Sequence, residues 1–218
     1  MGFFITFEGI EGCGKTTQIR NLADTLTAAG HTILLTREPG GCMIADKIRS
    51  ILLDADNHEM QPLTELLLYA AARAQHLAEV VVPALESGSI VLCDRFSDAT
   101  IAYQHYGRCI DRRTIDDLNR LACQSTRPDL TILIDCDVST GLARAKSRIA
   151  AGSGPREERF ELEEISFHQR VRNGYLDLAA SEPHRFVTIS ADGSVAEISR
   201  TIAVQVLGRI KDGSRAVC

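Results

Sequence analysis

The stretch Gly9-Ile10-Glu11-Gly12-Cys13-Gly14-Lys15-Thr16 fits G-x-x-x-x-G-K-[ST] at every fixed position. It follows an apolar β-rich run at residues 3–7 and opens a helix-like segment at 15–29, and that strand-to-helix context makes the motif informative. Glycines let backbone N–H groups turn inward on phosphate oxygens, and the helix N-terminus adds its positive dipole end. Lys15 then reaches the β- and γ-phosphates, while the Thr16 hydroxyl is a hard ligand for Mg2+. Gly9, Ile10, Glu11, Gly12, Cys13, Gly14, Lys15, Thr16 and Thr17 are therefore expected to hold ATP.

Further short β-rich runs lie at 32–36, 90–93, 131–135 and 186–190, most of them apolar on successive residues as in strands covered on both faces. Helix-like segments lie between and after them, at 43–53, 62–87, 112–123, 139–150, 163–180 and 194–210. This alternation predicts an α/β fold: a five-stranded parallel sheet with helices on both faces. Such sheets bind ligands outside the carboxyl ends of their strands. Residues 150–159, AAGSGPREER, break the pattern with small and charged residues and predict a mobile lid over about 148–160. A chain of 218 residues suits one domain over 1–218, with a frayed tail at about 212–218.

Composition narrows the function. A formal charge of -5 gives no global attraction to nucleic acid or to an anionic membrane. No apolar run approaches the roughly 20 residues that span a bilayer. The first residues lack a basic n-region, so a cytoplasmic location is expected. Seven cysteines, with no C-x-x-C pair, match neither a zinc site nor a disulfide framework. Neither N-K-x-D nor D-x-x-G occurs, which argues against a GTPase, and a motor ATPase usually needs more chain. A small-molecule kinase suits the length best.

The acceptor side is marked by Thr36-Arg37-Glu38-Pro39-Gly40-Gly41 after the second strand and by Asp94-Arg95 after the third. Two arginines at that rim suit an anionic acceptor, and Asp94, with Thr16, suits a magnesium ion held partly through water. Taken singly, each pair also reads as a surface turn or salt bridge.

These segments, with the following Phe96 and Ala102-Tyr103-Gln104 and the opening FEGIEGCGKTT, resemble the thymidylate kinase (dTMP kinase) family over residues 5–192. The resemblance implies a P-loop nucleoside monophosphate kinase-like fold that phosphorylates dTMP to dTDP with ATP and Mg2+ as a step in dTTP biosynthesis. It implies a homodimer, for which 63–68 and 77–85 offer apolar faces. Arg37 and Arg95 would bind the 5′-phosphate, Tyr69 would stack on thymine, and Arg73 would donate to a base oxygen. The spacing of i to i+4 puts Tyr69 and Arg73 on one helical face, although a core aromatic and a carboxylate partner fit the same spacing. Tyr103 would sit against the deoxyribose, with Gln104 beside it, and Glu11, Glu38 and Thr100 complete the expected dTMP site. Arg144 and the 190–193 loop would face the adenine end.

Glu11 resembles the subtype whose P-loop carries an acidic residue and whose catalytic arginine comes from the lid. Lys15 and Arg95 are then joined as catalytic residues by Arg148 or Arg156, with Arg159 a third possibility. The other reading pairs these arginines with Glu157, Glu158 and Glu161. Cys42 stands where the family commonly has threonine, and Ala99 where serine is frequent. A related kinase for another nucleotide and a nucleotide-binding module without turnover are the alternatives.

Overall fold

In β1 (Phe3–Glu8) every residue from Phe4 to Glu8 is buried, although neighbouring side chains on a strand point to opposite faces. Only a sheet covered on both sides permits this. The computed structural model describes residues 2–152 and 159–215, the last five by backbone alone. After β1 come α1 (Lys15–Ala28), β2 (Ile33–Arg37), α2 (Met43–Leu53), α3 (Pro62–His76), a π-helical turn (Leu77–Val81) and α4 (Val82–Glu86). Then follow β3 (Ile90–Asp94), α5 (Ser97–Thr100), a π-helical segment (Ile101–Gly107), α6 (Arg112–Cys123), β4 (Leu130–Asp135), α7 (Val138–Ala151), α8 (Ile165–Ser181), β5 (Phe186–Ser190) and α9 (Val195–Arg215).

The strand order is β2-β3-β1-β4-β5, and all neighbours are parallel. One face carries Ile5, Phe7, Ile90 and Leu92 against Ile19, Leu22 and Leu26 of α1. The other carries Phe4, Val91 and Cys93 against Leu77, Val81 and Phe96. The predicted five-stranded parallel sheet with helices on both faces is what the chain forms. The P-loop leaves its central strand, and β3 ends beside it, since Phe7 pairs with Asp94 in register. Gly12, with φ 68°, lets the loop touch α7: a Cβ there would lie 1.9 Å from the Gly141 carbonyl oxygen.

Three boundaries differ from expectation. The single helix foreseen over 62–87 is divided by the π-helical turn, because Pro83 has no N–H to give and its ring crowds the preceding turn. The helical stretch from Ser97 to Gly107 was not foreseen. Its second part is π-helical, so its side chains do not follow the 3.6-residue period by which helices are read. Finally, α9 runs to Arg215, into the stretch expected to be a frayed tail. Residues 216–218 lie outside the described ones.

Candidate active site

A cavity of about 1280 Å³ opens at the carboxyl ends of the strands. On its donor side it is lined by Glu11, Gly12, Gly14, Lys15, Thr16 and Thr17, while Gly9, Ile10 and Cys13 are buried beneath the loop. Gly14, in the left-handed region, caps α1 without a side-chain bond, so no side chain takes up the N–H groups of Lys15 and Thr16 that open the helix at the cavity. Lys15 folds over the loop, its ammonium donating to the carbonyls of Gly9 (3.0 Å) and Ile10 (2.9 Å). The Thr16 hydroxyl donates to Asp94 Oδ2 at 3.4 Å. These are two hard oxygens on one wall, and no cluster of three or more metal-ligating side chains occurs among the described residues. That donor set fits Mg2+, which is usually held by one or two side chains together with waters and substrate phosphates.

The acceptor side is lined by Arg37, Glu38, Tyr69, Arg73, Arg95, Thr100, Tyr103 and Gln104, all of them expected from the sequence. Arg73 is buried, its Nε donating to Glu38 Oε2 (2.7 Å), Nη1 to Asn119 Oδ1 (2.8 Å), and Nη2 to the Phe96 carbonyl (3.1 Å) and Thr100 Oγ1 (2.9 Å). The carboxylate-partner alternative for Arg73 is thus realised, in the interior instead of at a solvated surface. His76 lies against the other Glu38 oxygen (3.0 Å) and against Thr36 Oγ1 (2.6 Å), so α3 braces the loop of residues 36–41 from behind. Arg37 is exposed on the rim and donates to Asp46. Gln104 donates to buried Glu65 at 2.8 Å.

Arg95 sits between the two sides. Its Nη1 donates to Tyr175 Oη (3.0 Å) and its Nη2 to Glu11 Oε1 (3.1 Å), while its guanidinium lies 4.8 Å from the Tyr103 ring centre. Tyr103 also donates to Glu11, at 2.5 Å. Burial pushes the Glu11 carboxyl up, but His168, Arg95 and Lys15 outweigh it and hold the group at about 2. His168 Nδ1 is 3.2 Å from Glu11 Oε2, though the two are not aligned as a hydrogen bond. Beneath the site, burial and the nearby Asp98 raise Glu8 to about 8 against the pull of Arg95, Tyr175 and the Phe96 N–H.

On the lid side, exposed Arg144 and Arg148 of α7 line the cavity, with Arg148 3.9 Å from Glu161. Arg156 and Pro155 lie outside the described residues. Arg159, one of the three lid arginines, is instead buried on Glu65 (2.7 Å), and its Nε donates to the Leu52 carbonyl. The 190–193 loop is not among the lining residues; Ser190 donates to Asp192 there. Sequence reasoning missed Phe160, packed edge-on against Tyr103, and also Glu8, Glu65, His168 and Tyr175. Nothing in their spacing singles them out, because each acts on a partner far along the chain.

Comparison with known proteins adds identity to this geometry. A family model described as thymidylate kinase matches residues 7–202. The thymidylate kinase of Pelobacter propionicus is 64% identical over 218 residues, covering 100% of both chains. That of Trichlorobacter lovleyi is 65% identical over 207 residues, 95% of this chain and 98% of its own. Among solved structures, thymidylate kinase from Ehrlichia chaffeensis aligns with a TM-score of 0.75 at 35% identity, over 95% of this chain and 98% of that one.

Proposed function

The chain belongs to the thymidylate kinase family and phosphorylates dTMP to dTDP with ATP, and on that premise we propose how its residues divide the work. ATP lies along the P-loop, its phosphates on the glycine N–H groups and Lys15, with Arg144 toward the adenine end. Thr16 and Asp94 would hold Mg2+, which neutralises phosphate charge when bound. The dTMP phosphate lies against Arg37 and Arg95, the base against Tyr69 and Arg73, and the sugar against Tyr103, with Glu11, Glu38, Thr100 and Gln104 completing the wall.

A dTMP phosphate oxygen attacks the γ-phosphorus in line. The bond to the β,γ-bridging oxygen breaks, and ADP leaves. The attacking phosphate is already an anion at pH 7, so no general base is needed. Charge stabilisation by Lys15 and Arg95 carries the step. Glu11, ionised at about 2, cannot add positive charge in the P-loop, which supports the subtype that takes an arginine from a lid over about 148–160. Arg148 and Arg156 fill that role; Arg159 on Glu65 anchors the far end of the lid.

The observation that carries this reading is the placement of Arg95 on the wall that Lys15 and Thr16 share, its two terminal nitrogens tied by Tyr175 and Glu11. ADP production from MgATP with dTMP, dUMP, UMP, CMP, AMP and GMP as separate acceptors tests it. Strong turnover with dTMP and weaker turnover with dUMP is expected. Equal turnover with UMP would overturn the roles given to Tyr69, Arg73 and Tyr103.

One five-stranded sheet packed on both faces supports a single domain over 1–218, and the substrates accord with a cytoplasmic location. No described helix is long and apolar enough to cross a membrane. A homodimer through α2 and α3 is supported by exposed Met43, Ile44 and Ile51 beside exposed Leu63 and Leu67. In the 77–85 stretch Leu77 and Val81 are buried in the core. Light scattering at micromolar concentration reads the oligomeric state directly.

A further inference from the structure

Glu8 ends β1, one residue before the P-loop, and is fully buried. Its two carboxyl oxygens go to different places. Oε1 accepts from the Phe96 backbone N–H at 2.7 Å, and Oε2 accepts from the Tyr175 hydroxyl at 2.8 Å. Tyr175, buried on α8, in turn accepts from Arg95 Nη1. Arg95 thus has both of its ends tied to one carboxyl group: the amide that follows it directly, and its guanidinium through one phenol.

The residue held in this way is conformationally unusual. Arg95 has φ 70°, in the left-handed region that an L-residue with a long side chain seldom enters. Such a backbone persists where its surroundings over-determine it, and functional sites are where this happens. Here the determinants are the Arg95 N–H bond to the Phe7 carbonyl (2.9 Å) and the Phe96 N–H bond to Glu8. The guanidinium plane is set by Tyr175 at Nη1 and Glu11 at Nη2, over the Tyr103 ring. Tyr103 and Tyr175 themselves meet edge-on at 6.3 Å. A fork fixed at two nitrogens presents its remaining N–H donors in one direction, which a flexible ammonium would not do.

We propose that Glu8 and Tyr175 are positioning residues of phosphotransfer: the chain from Glu8 through Tyr175 to Arg95 aims the guanidinium at the acceptor phosphate. The proposal rests on Arg95 being a ligand of the dTMP phosphate. It predicts that dTMP binding depends on a phenol that never touches dTMP, and that ATP binding does not.

The test is a double-mutant cycle on the full chain with Tyr175→Phe, Arg95→Lys and both together, reading KM for dTMP, KM for ATP, kcat and the melting temperature. Tyr175→Phe keeps the ring and removes both hydrogen bonds of the phenol, the one accepted from Arg95 and the one donated to Glu8. It should raise KM for dTMP about tenfold and leave KM for ATP within about twofold. In the Arg95→Lys background, where the fork is gone, the same change should move KM for dTMP less than about twofold. Glu8→Asp, too short to span both partners, should reproduce the selective rise in KM and serves if Tyr175→Phe fails to fold. An unchanged KM for dTMP in both Tyr175→Phe and Glu8→Asp, with or without a lower melting temperature, overturns the proposal. So does an equal effect of Tyr175→Phe in the two backgrounds. If Arg95→Lys alone leaves KM for dTMP unchanged, the role of Arg95 itself falls, and the proposal falls with it.

Discussion

The donor rim and the acceptor wall of one cavity are made by different means. The rim is eight consecutive residues whose working groups are mostly backbone, and Lys15 is held by carbonyls five and six residues away. The wall is made of side chains held from a distance: Arg73 on Glu38 across 35 residues, Gln104 on Glu65 across 39, Arg95 on Tyr175 across 80. A rim built on local backbone can lose a reactive group and keep its shape. A wall built on buried ion pairs cannot, because removing one partner leaves a desolvated charge behind.

Lys15→Ala is the sharpest way to break this contrast. It removes a charge that acts on the transferring phosphoryl group, so kcat should fall by about 10³-fold. Stability should fall by only about 1–2 kcal/mol for the lost hydrogen bonds. Turnover is measured by coupled ADP release and stability by urea unfolding; unchanged turnover would remove Lys15 from the mechanism. Arg73→Met is the counterpart on the wall. It strands Glu38, which is nearly as buried as Arg73, and should cost about 3–5 kcal/mol of stability as well as dTMP affinity. A wild-type unfolding midpoint for this variant would show that the wall is not braced as described.

The lid sharpens the contrast, since it should behave like the rim. Arg148 is exposed and only 3.9 Å from Glu161, a contact of little energetic consequence at a solvated position. The Arg148→Ala/Arg156→Ala double variant should therefore lower kcat by about 10²-fold with a melting temperature within about 1 °C of wild type. A large stability loss without a kcat effect would instead make these arginines structural.

The same contrast explains what was legible in the sequence. The P-loop, the five strands and the acceptor-side arginines Arg37 and Arg95 could be read because local spacing carries them. Tyr69 and Arg73 could be placed on one helical face by i to i+4 spacing, but not Arg73's bond to Glu38, which depends on how α3 docks on the loop of residues 36–41. Arg159 was grouped with the lid by composition, whereas Glu65, buried on α3, draws it inward. Tyr103 and Gln104 were found by resemblance while the π-helical segment that carries them went unseen, because its irregular period leaves no helical signal. Pro83 was visible, and its effect on the helix could have been foreseen.

Glu8 joins the two constructions, and its smaller effect is read through pH. An ordinary glutamate loses its proton near 4.5, whereas burial, with Asp98 nearby, holds Glu8 at about 8. Between those values the unfolded chain has released a proton that the folded chain keeps, so this group's contribution to stability declines as pH rises from about 4.5 to about 8. Glu11, lowered to about 2, works in the opposite direction and below this window: its contribution is lost as pH falls from about 4.5 toward 2. The Glu8→Gln variant keeps Glu11 and cannot ionise at position 8, so subtracting its melting temperature from that of wild type isolates Glu8. The difference should move in favour of the variant between pH 5 and pH 8.5. A flat difference would mean that Arg95, through Tyr175, outweighs burial and keeps Glu8 ionised across the whole range. The last carboxylate of the central strand would then belong electrostatically to the acceptor wall, although the next residue begins the donor rim.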